Sequence, residues 1–456
     1  LSARGSGGEE SSGGGDAGKP VLPRGALAWN TFNLFNAVAF TVMMGAPIVL
    51  FAKSLGASST VLGIISAFTP LLVVFQIPAA RFLPIYGYKR FMMAGWGLRN
   101  LFIGMIAFVP LLGFLDDFSR LAILLALLFC FNLLRGISSC AALPWMTHII
   151  PRQVRGRFLA RDSLFIQVGC LLSLLVSSFL MQGKQTALDF TLVFGLAAVG
   201  QIVSLFFMRL IPDADPGEES KRSAERVPWT AMMTYGPFAR LLVFNLLWFA
   251  AIGGLTVFSV EFMEGLPGFD SSVILFLSSL AFVAAMISVP FTSSLVDRTS
   301  ARSLLRVGVF FVLLAVGGWF LLATETVPPS RGFVAMLTML TGFGGTVFNV
   351  TNARIMMATM PEMGRNHFFA LYSVVTSLGL ATSPVAWGMM LDALAGYEFA
   401  GAVFVWKPHA VYFLAVAGIL LLVALLARIL KEGRQMEQDE SLLLARLNRL
   451  SRPFPR

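Results

Sequence analysis

Charge is what this chain has least of. Only 13% of its 456 residues are Asp, Glu, Lys or Arg, against about a quarter in a soluble domain. Histidine is nearly absent, with His148, His367 and His409 scattered along the chain. Cysteine is as rare: Cys130, Cys140 and Cys170 lie inside apolar runs without metal-ligand spacing, which makes them packing residues. No HExxH, GxSxG, Walker or dinucleotide fingerprint occurs, so no catalytic set, metal or cofactor is expected. What is present is apolar: 57% of residues are hydrophobic, 42 are Phe, and the mean hydropathy is +0.78. The net charge of +10 would suggest nucleic acid in a soluble protein. Here the basic residues sit in short connections between apolar runs, where membrane topology puts them, so no nucleic-acid partner is expected.

Twelve apolar runs are long enough to cross a bilayer, which takes about 20 residues each. They are Gly25–Lys53, Thr60–Leu83, Arg90–Phe114, Arg120–Thr147, Phe158–Gln182, Ala187–Ile211, Phe238–Phe262, Ser271–Leu295, Ser303–Thr324, Arg331–Met357, His367–Leu394 and His409–Leu430. Unpaired backbone groups are too costly in lipid, so these runs are read as helices. Pro47, Pro70, Pro78, Pro290 and Pro384 fall inside them and predict kinks. With an even number of helices both termini share a side. That side carries Lys89, Arg90, Arg152, Arg155, Arg157, Arg161, Lys221, Arg222, Arg226, Arg298, Arg302 and Arg365. The other side carries Lys53, Arg120, Lys184, Arg331 and Lys407 among Asp116, Asp117, Glu264, Asp270, Glu325 and Glu398. The positive-inside rule then puts both termini in the cytoplasm, with the chain as a multi-pass protein of the cytoplasmic (inner) membrane.

A polar connection, 212–237, divides the runs six and six, and the halves repeat. Pro151-x-x-x-Arg155-x-x-Phe158-x-Ala160 recurs 210 positions on as Pro361-x-x-x-Arg365-x-x-Phe368-x-Ala370. The connection Pro84–Arg90 aligns with Asp297–Arg302, and Pro78 with Pro290. The pattern is that of a duplicated transporter fold. Residues 25–431 resemble the major facilitator superfamily, whose signature after the second helix is Gly-x-x-x-Asp-x-x-Gly-Arg-Arg/Lys. Here it reads Ala80-x-x-x-Pro84-x-x-Gly87-Tyr88-Lys89, with Gly87 and Lys89 matching; in the second half Asp297 and Arg302 match. The resemblance implies an all-α integral membrane protein of twelve transmembrane helices in two pseudo-symmetric six-helix bundles, 25–211 and 238–430. Residues 1–24 read as a disordered tail. In 431–456, leucines such as Leu443 and Leu447 alternate with Arg446 and Arg449, giving an amphipathic helix for the membrane surface or a partner.

One charge lies deep in an apolar run. Arg135 follows Phe131–Leu134 and precedes Ile137–Leu143. A charge at membrane depth costs at least about 2.5–3.5 kcal/mol and usually lines a wet path. The stretch Phe131-x-x-x-Arg135-x-x-Ser138-Ser139-x-Ala141-Ala142 resembles a helix-four motif of proton-linked exporters in the superfamily, which implies proton coupling or anion binding by Arg135. The other reading is an arginine that holds the bundle together. The superfamily builds its cavity from helices one, four, seven and ten. In this chain those carry Asn33 and Asn36, Asn132 and Arg135, Asn245 and Trp248, and Asn349 and Asn352, each pair three apart and so on one helix face. These eight are the expected substrate-binding residues; interhelical hydrogen bonding is the alternative for any single amide. Asp162, Lys89, Asp297, Arg302, Arg155 and Arg365, together with Arg135, are the expected coupling or gating residues. No helix centre carries an acid, which disfavours a cationic substrate. The reading is a monomeric secondary transporter, symporter or antiporter, for a small anionic, zwitterionic or neutral polar solute. Protons or another ion, and membrane lipids, are its further partners. A lipid or lysolipid flippase, or a transporter-like assembly factor or sensor, is the alternative.

Overall fold

A computed structural model describes residues 23, 25–183, 185–213, 235–296, 299–360, 365–401 and 404–428. The expected tails 1–24 and 431–456 and most of the linker 212–237 therefore lie outside the described residues. Among the described residues, twelve helices are long and apolar enough to cross a membrane. In chain order, spans one to six are Ala26–Ser54, Ser59–Tyr86, Tyr88–Leu111, Asp117–Ile149, Val154–Leu180 and Ala187–Leu210. Spans seven to twelve are Gly236–Glu264, Ser271–Thr292, Ala301–Ala323, Arg331–Thr359, Phe368–Ala393 and Pro408–Leu426. The face where span one begins and span twelve ends is called terminal below, and the other distal. A two-residue hairpin, β1 (Phe399–Ala400) with β2 (Val405–Trp406), joins spans eleven and twelve on the distal face.

Helix polarity explains much of the charge distribution. Even-numbered spans start on the distal face, where their first N–H groups need acceptors. Ser58, Asp116, Thr186 and Ser330 supply them as N-caps of spans two, four, six and ten. The same spans end on the terminal face with spare carbonyls. Lys89 Nζ donates to Arg209 and Ile211 carbonyls at the end of span six (2.8 and 2.7 Å). Arg155 Nη2 donates to Thr147 and Ile150 carbonyls at the end of span four (3.0 and 3.2 Å).

The expected proline kinks divide into two kinds. Span one breaks at Gly45, which separates Ala26–Met44 from Ala46–Ser54 with Pro47 in the first turn of the second piece. Span two tightens into 3-10 turns at Val73–Phe75 and Ala80–Phe82, after Pro70 and Pro78. Pro290 and Pro384, in contrast, sit inside unbroken helices, Ser271–Val296 and Arg365–Ala393. Neighbouring helices can re-satisfy the carbonyl that a proline frees. Span seven breaks without proline, at Gly253–Gly254, between Gly236–Ile252 and Leu255–Glu264. Spans one and seven thus break at matching depths, as equivalent members of two halves.

Within the first half, span one packs on spans five and six, and span three on spans four and six. Within the second, span ten packs on spans eight and nine, and span twelve on spans seven and nine. The halves meet along two long seams, span two against span eleven and span five against span eight. A shift of six spans exchanges one seam for the other, as pseudo-symmetry requires. The seams are closed distally. A Cβ at Gly63 would collide with the Pro384 carbonyl, and one at Gly388 with the Ser59 carbonyl. Asp392 of span eleven accepts from the Ser59 and Thr60 amides (3.0 and 2.8 Å), capping span two from the other half. Lys53 pairs with Glu261 at 3.1 Å, and Ser59 Oγ donates to the same oxygen at 2.7 Å. On the second seam Ser178 Oγ donates to the Ser272 carbonyl at 2.8 Å.

Asp392→Ala removes two charge-assisted bonds, each worth about 1.5–3 kcal/mol, and should loosen this closure. With Cys130, Cys140 and Cys170 replaced by Ala, Thr256→Cys reports access to the space beneath it. A membrane-impermeant maleimide applied to the distal face should label it faster in the Asp392→Ala background; equal rates would show that the cap does not hold the closure.

Candidate substrate site

Among the described residues, two cavities lie between the halves. The distal one, about 250 Å³, sits under the closure and is lined by Phe40, Met44, Ser66, Thr69, Thr256 and Val260 among others. The terminal one, about 370 Å³, lies between spans two, four and eleven and includes Gln76, Ser139, Cys140, Ser373 and Ser377 in a mainly apolar wall. Pro70 lines both.

Arg135 stands beside them. Its guanidinium carbon lies 4.6 Å from the centre of the Phe40 ring, which lines the distal cavity. Ser139, one turn further on, lines the terminal cavity. The side chain is half-buried, and it makes no hydrogen bond or ion pair among the described residues. It occupies the last turn of the helix Asp117–Ser138, before the 3-10 turn Ser139–Ala141, where the helix dipole favours a cation. Ring contact leaves the planar fork of N–H groups unused, and that fork matches a carboxylate or phosphate.

The other expected binding residues separate into different environments. Asn33 and Asn36 share a helix but turn to different neighbours. Asn33 donates to both oxygens of Asp162 at 2.9 Å. Asn36 accepts from Trp96 Nε1 (3.1 Å) and Arg99 Nη2 (2.6 Å) of span three. Asn132 is buried, accepts from Thr69 Oγ1 at 2.7 Å and donates to the Leu128 carbonyl at 2.9 Å. Asn245 Oδ1 accepts from Asn352 Nδ2 (2.7 Å) and Tyr372 Oη (3.0 Å), so spans seven, ten and eleven are tied in one buried knot. Trp248 is fully buried and stacks on Phe348, with ring centres 3.5 Å apart. Asn349 is exposed. Among the expected coupling residues, Asp162 is buried in the seam of spans one and five, while Lys89 and Arg155 bind carbonyls within the first half. Arg302 lies in the first turn of the helix Ala301–Ala323 and has a partner. Arg365 opens the helix of span eleven, but its side chain, like Asp297, lies outside the described residues.

A family model described as Major Facilitator Superfamily matches residues 30–330, two-thirds of the chain. The chain belongs to the major facilitator superfamily. A second model, of an MFS_1-like family, matches residues 238–450. Among solved structures the chain resembles a D-xylose-proton symporter, with 16% identity and a TM-score of 0.69 over 88% of this chain and 96% of the other. It also resembles the nucleoside transporter NupG (D323A mutant), with 11% identity and a TM-score of 0.67 over 90% and 100% of the two chains. A bacterial homologue of the human lysosomal transporter Spinster, inward-facing and unoccupied, gives 14% and 0.62 over 91% and 97%. At these identities the likeness is one of fold. A search of curated proteins found no match. As a superfamily member with this fold, the chain is a multi-pass membrane protein and a secondary transporter of small solutes.

Three residues of this transporter's polar interior escape the spacing argument. Arg99 of span three is fully buried, donates to Asn36 and Gln201, and lies between the rings of Trp96 (4.6 Å) and Phe131 (5.1 Å). Its Nε and Nη1 have no protein acceptor. It was as legible as Arg135, being a charge inside the run Arg90–Phe114. Tyr372 and Gln201 carried no such signal. Each is a polar residue in an apolar helix, and only the packing reveals its partner.

The amide knot of the second half makes a stability test. Tyr372→Phe removes two hydrogen bonds, the one its hydroxyl donates to Asn245 Oδ1 and the one it accepts from Asn352 Nδ2 (3.1 Å), but leaves Asn245 and Asn352 paired with each other, and should cost about 1 kcal/mol. Asn245→Leu removes the acceptor that the Asn352 amide and the Tyr372 hydroxyl share, leaves them only each other and strands the Tyr372 O–H, and should cost about 2–3 kcal/mol, since a buried donor left unpaired carries its own desolvation penalty. Unfolding midpoints of the purified protein should fall in that order; unchanged midpoints for both variants would refute the knot.

Proposed function

We propose that this chain carries a small anionic, zwitterionic or neutral polar solute across the cytoplasmic membrane by alternating access, with Arg135 as its principal binding group and both termini in the cytoplasm. The observation that carries the reading is the state of Arg135. It is half-buried, it holds the Phe40 ring that lines the distal cavity, and it has no acceptor among the described residues. Arg99 lies near it, and among the described residues no acid lies within ion-pair distance of either side chain, so this part of the first half is electropositive and suits an anionic group. Cavities of about 250 and 370 Å³ fit a small solute. The distal closure includes a charge pair and a helix cap that cross between the halves, beside a buried apolar cluster that both halves share, and polar contacts of that kind can break and reform. The breaks at Gly45 and Gly253–Gly254 fall in the spans that border it. In the transport cycle the halves rock about the site, and the distal closure is one end of that motion. The many basic residues on the terminal face support its cytoplasmic placement.

A charge-assisted hydrogen bond is worth about 1.5–3 kcal/mol, or roughly ten- to 150-fold in affinity. A thermal-shift screen of small carboxylates, amino acids and phosphate esters should find a stabilising solute. Arg135→Ala should weaken it by at least that factor, and Arg135→Lys, which keeps charge but not the fork, should fall between. Liposome counterflow of the same solute should show the same order. Stabilisation that is equal in Arg135→Ala and the unaltered protein would remove Arg135 from the site.

A further inference from the structure

Asp162 is a buried carboxylate without a cation. It is the eleventh residue of the helix Arg152–Leu180, about 15 Å along its axis, and is 9% exposed. Its three hydrogen bonds all come from amides: Asn30 Nδ2 to Oδ1 at 2.9 Å, and Asn33 Nδ2 to Oδ1 and Oδ2 at 2.9 Å. Among the described residues, no Lys, Arg or His lies within ion-pair distance. Span one has no charged residue from Ala26 to Ala52, and span eight, on the other side of span five, has none at all. The charges of span six sit at its ends, Asp189 and the exposed Arg209. On span five the neighbouring Arg161 guanidinium lies over the Phe165 ring, 5.4 Å from its centre.

Asn30 supplies a second observation. It is fully buried, and its Oδ1 has no partner among the described residues. A side-chain amide has a donor end and an acceptor end of almost equal size, and rotation by half a turn exchanges them. With the NH₂ ends inward, Asn30 and Asn33 satisfy an empty, ionised carboxylate. With the carbonyl ends inward, the same two residues and Asp162 present oxygens from three side chains to one point. The orphaned Oδ1 of Asn30 is the ligand that this rotation delivers.

We propose that Asp162, Asn30 and Asn33 form a binding site for a single dehydrated monovalent cation, a sodium ion or a proton, in the seam between spans one and five. Binding neutralises the carboxylate and is accompanied by rotation of the amides. Because the seam joins span one, which borders the distal closure, to span five, which forms the second inter-half seam, occupancy bears on how the halves meet. The site deepens the transport reading by naming the class of coupling ion, and it rests on that reading only for the purpose the cation serves.

The test uses the purified full-length protein without solute, so that its outcome is independent of the role of Arg135. Thermal unfolding is followed in sodium chloride against choline chloride at constant ionic strength and pH, and then in choline chloride from pH 8.5 to 5.5. At saturation a bound ion should raise the midpoint by about 3 °C. A rise with sodium that is absent in Asp162→Asn identifies sodium. A rise on acidification in choline alone, again absent in Asp162→Asn, identifies the proton, because protonation removes a buried charge. Asn30→Ala and Asn33→Ala keep the carboxylate but lose one amide each. They should shift the half-saturating sodium concentration, or the midpoint of the pH response, at least tenfold, and they carry the test if Asp162→Asn does not fold. Equal midpoints in all conditions, or a response that persists unchanged in these variants, would overturn the assignment.

Discussion

A charge inside an apolar helical bundle must be answered locally, because lipid and packed side chains cannot solvate it. Three charged residues in the first half are answered in three ways. Arg99 is enclosed by two amide oxygens and two aromatic faces. Asp162 is answered by three amide N–H bonds. Among the described residues, Arg135 is answered only by the Phe40 ring, which lines the distal cavity. The difference separates roles. Arg99 is fully buried even though its Nε and Nη1 are unpaired, whereas Arg135 is only half-buried against the Phe40 ring that lines the distal cavity. Asparagine is common to the first two, because one amide can face either sign of charge.

The distal closure follows from a different constraint. Helices that start on that face expose N–H groups, and helices that end there expose carbonyls. Asp392 uses the first fact across the seam, capping span two from span eleven. Gly63 and Gly388 allow the two helices to approach closely enough for that cap to reach. Lys53, Ser59 and Glu261 add a second tie from spans one, two and seven. On the terminal face, Lys89 and Arg155 serve carbonyls within their own half. Among the described residues, the Asp392 cap crosses between the halves on the distal face, whereas the Lys89 and Arg155 caps on the terminal face stay within the first half.

The spans themselves were legible because lipid imposes a length and a hydropathy on each of them. The repeat was legible because Pro151–Ala160 and Pro361–Ala370 keep one spacing. The polar interior was legible only in part. Spacing places Asn33 and Asn36 on one helix face, yet a face about 100° wide borders two neighbours, and these residues turn to spans five and three respectively. Trp248 shares a face with Asn245, but its ring meets Phe348 within the second half. Proline was an incomplete guide to kinks, because packing restored continuous helices at Pro290 and Pro384 while two glycines broke span seven without one.

The halves keep the fold symmetric and the chemistry unequal. Span seven, the counterpart of span one, contributes Asn245 to a neutral knot with Asn352 and Tyr372. Span one contributes Asn30, Asn33 and Asn36, which meet Asp162 and Arg99 instead. A neutral knot is insensitive to added charge and ties its spans under all conditions. An amide–carboxylate cluster and an uncommitted guanidinium respond to charge by construction. On the proposed reading, a ligand that brings charge acts on the first half more than on the second. Only such a difference in interaction between states lets binding drive the motion of one half against the other.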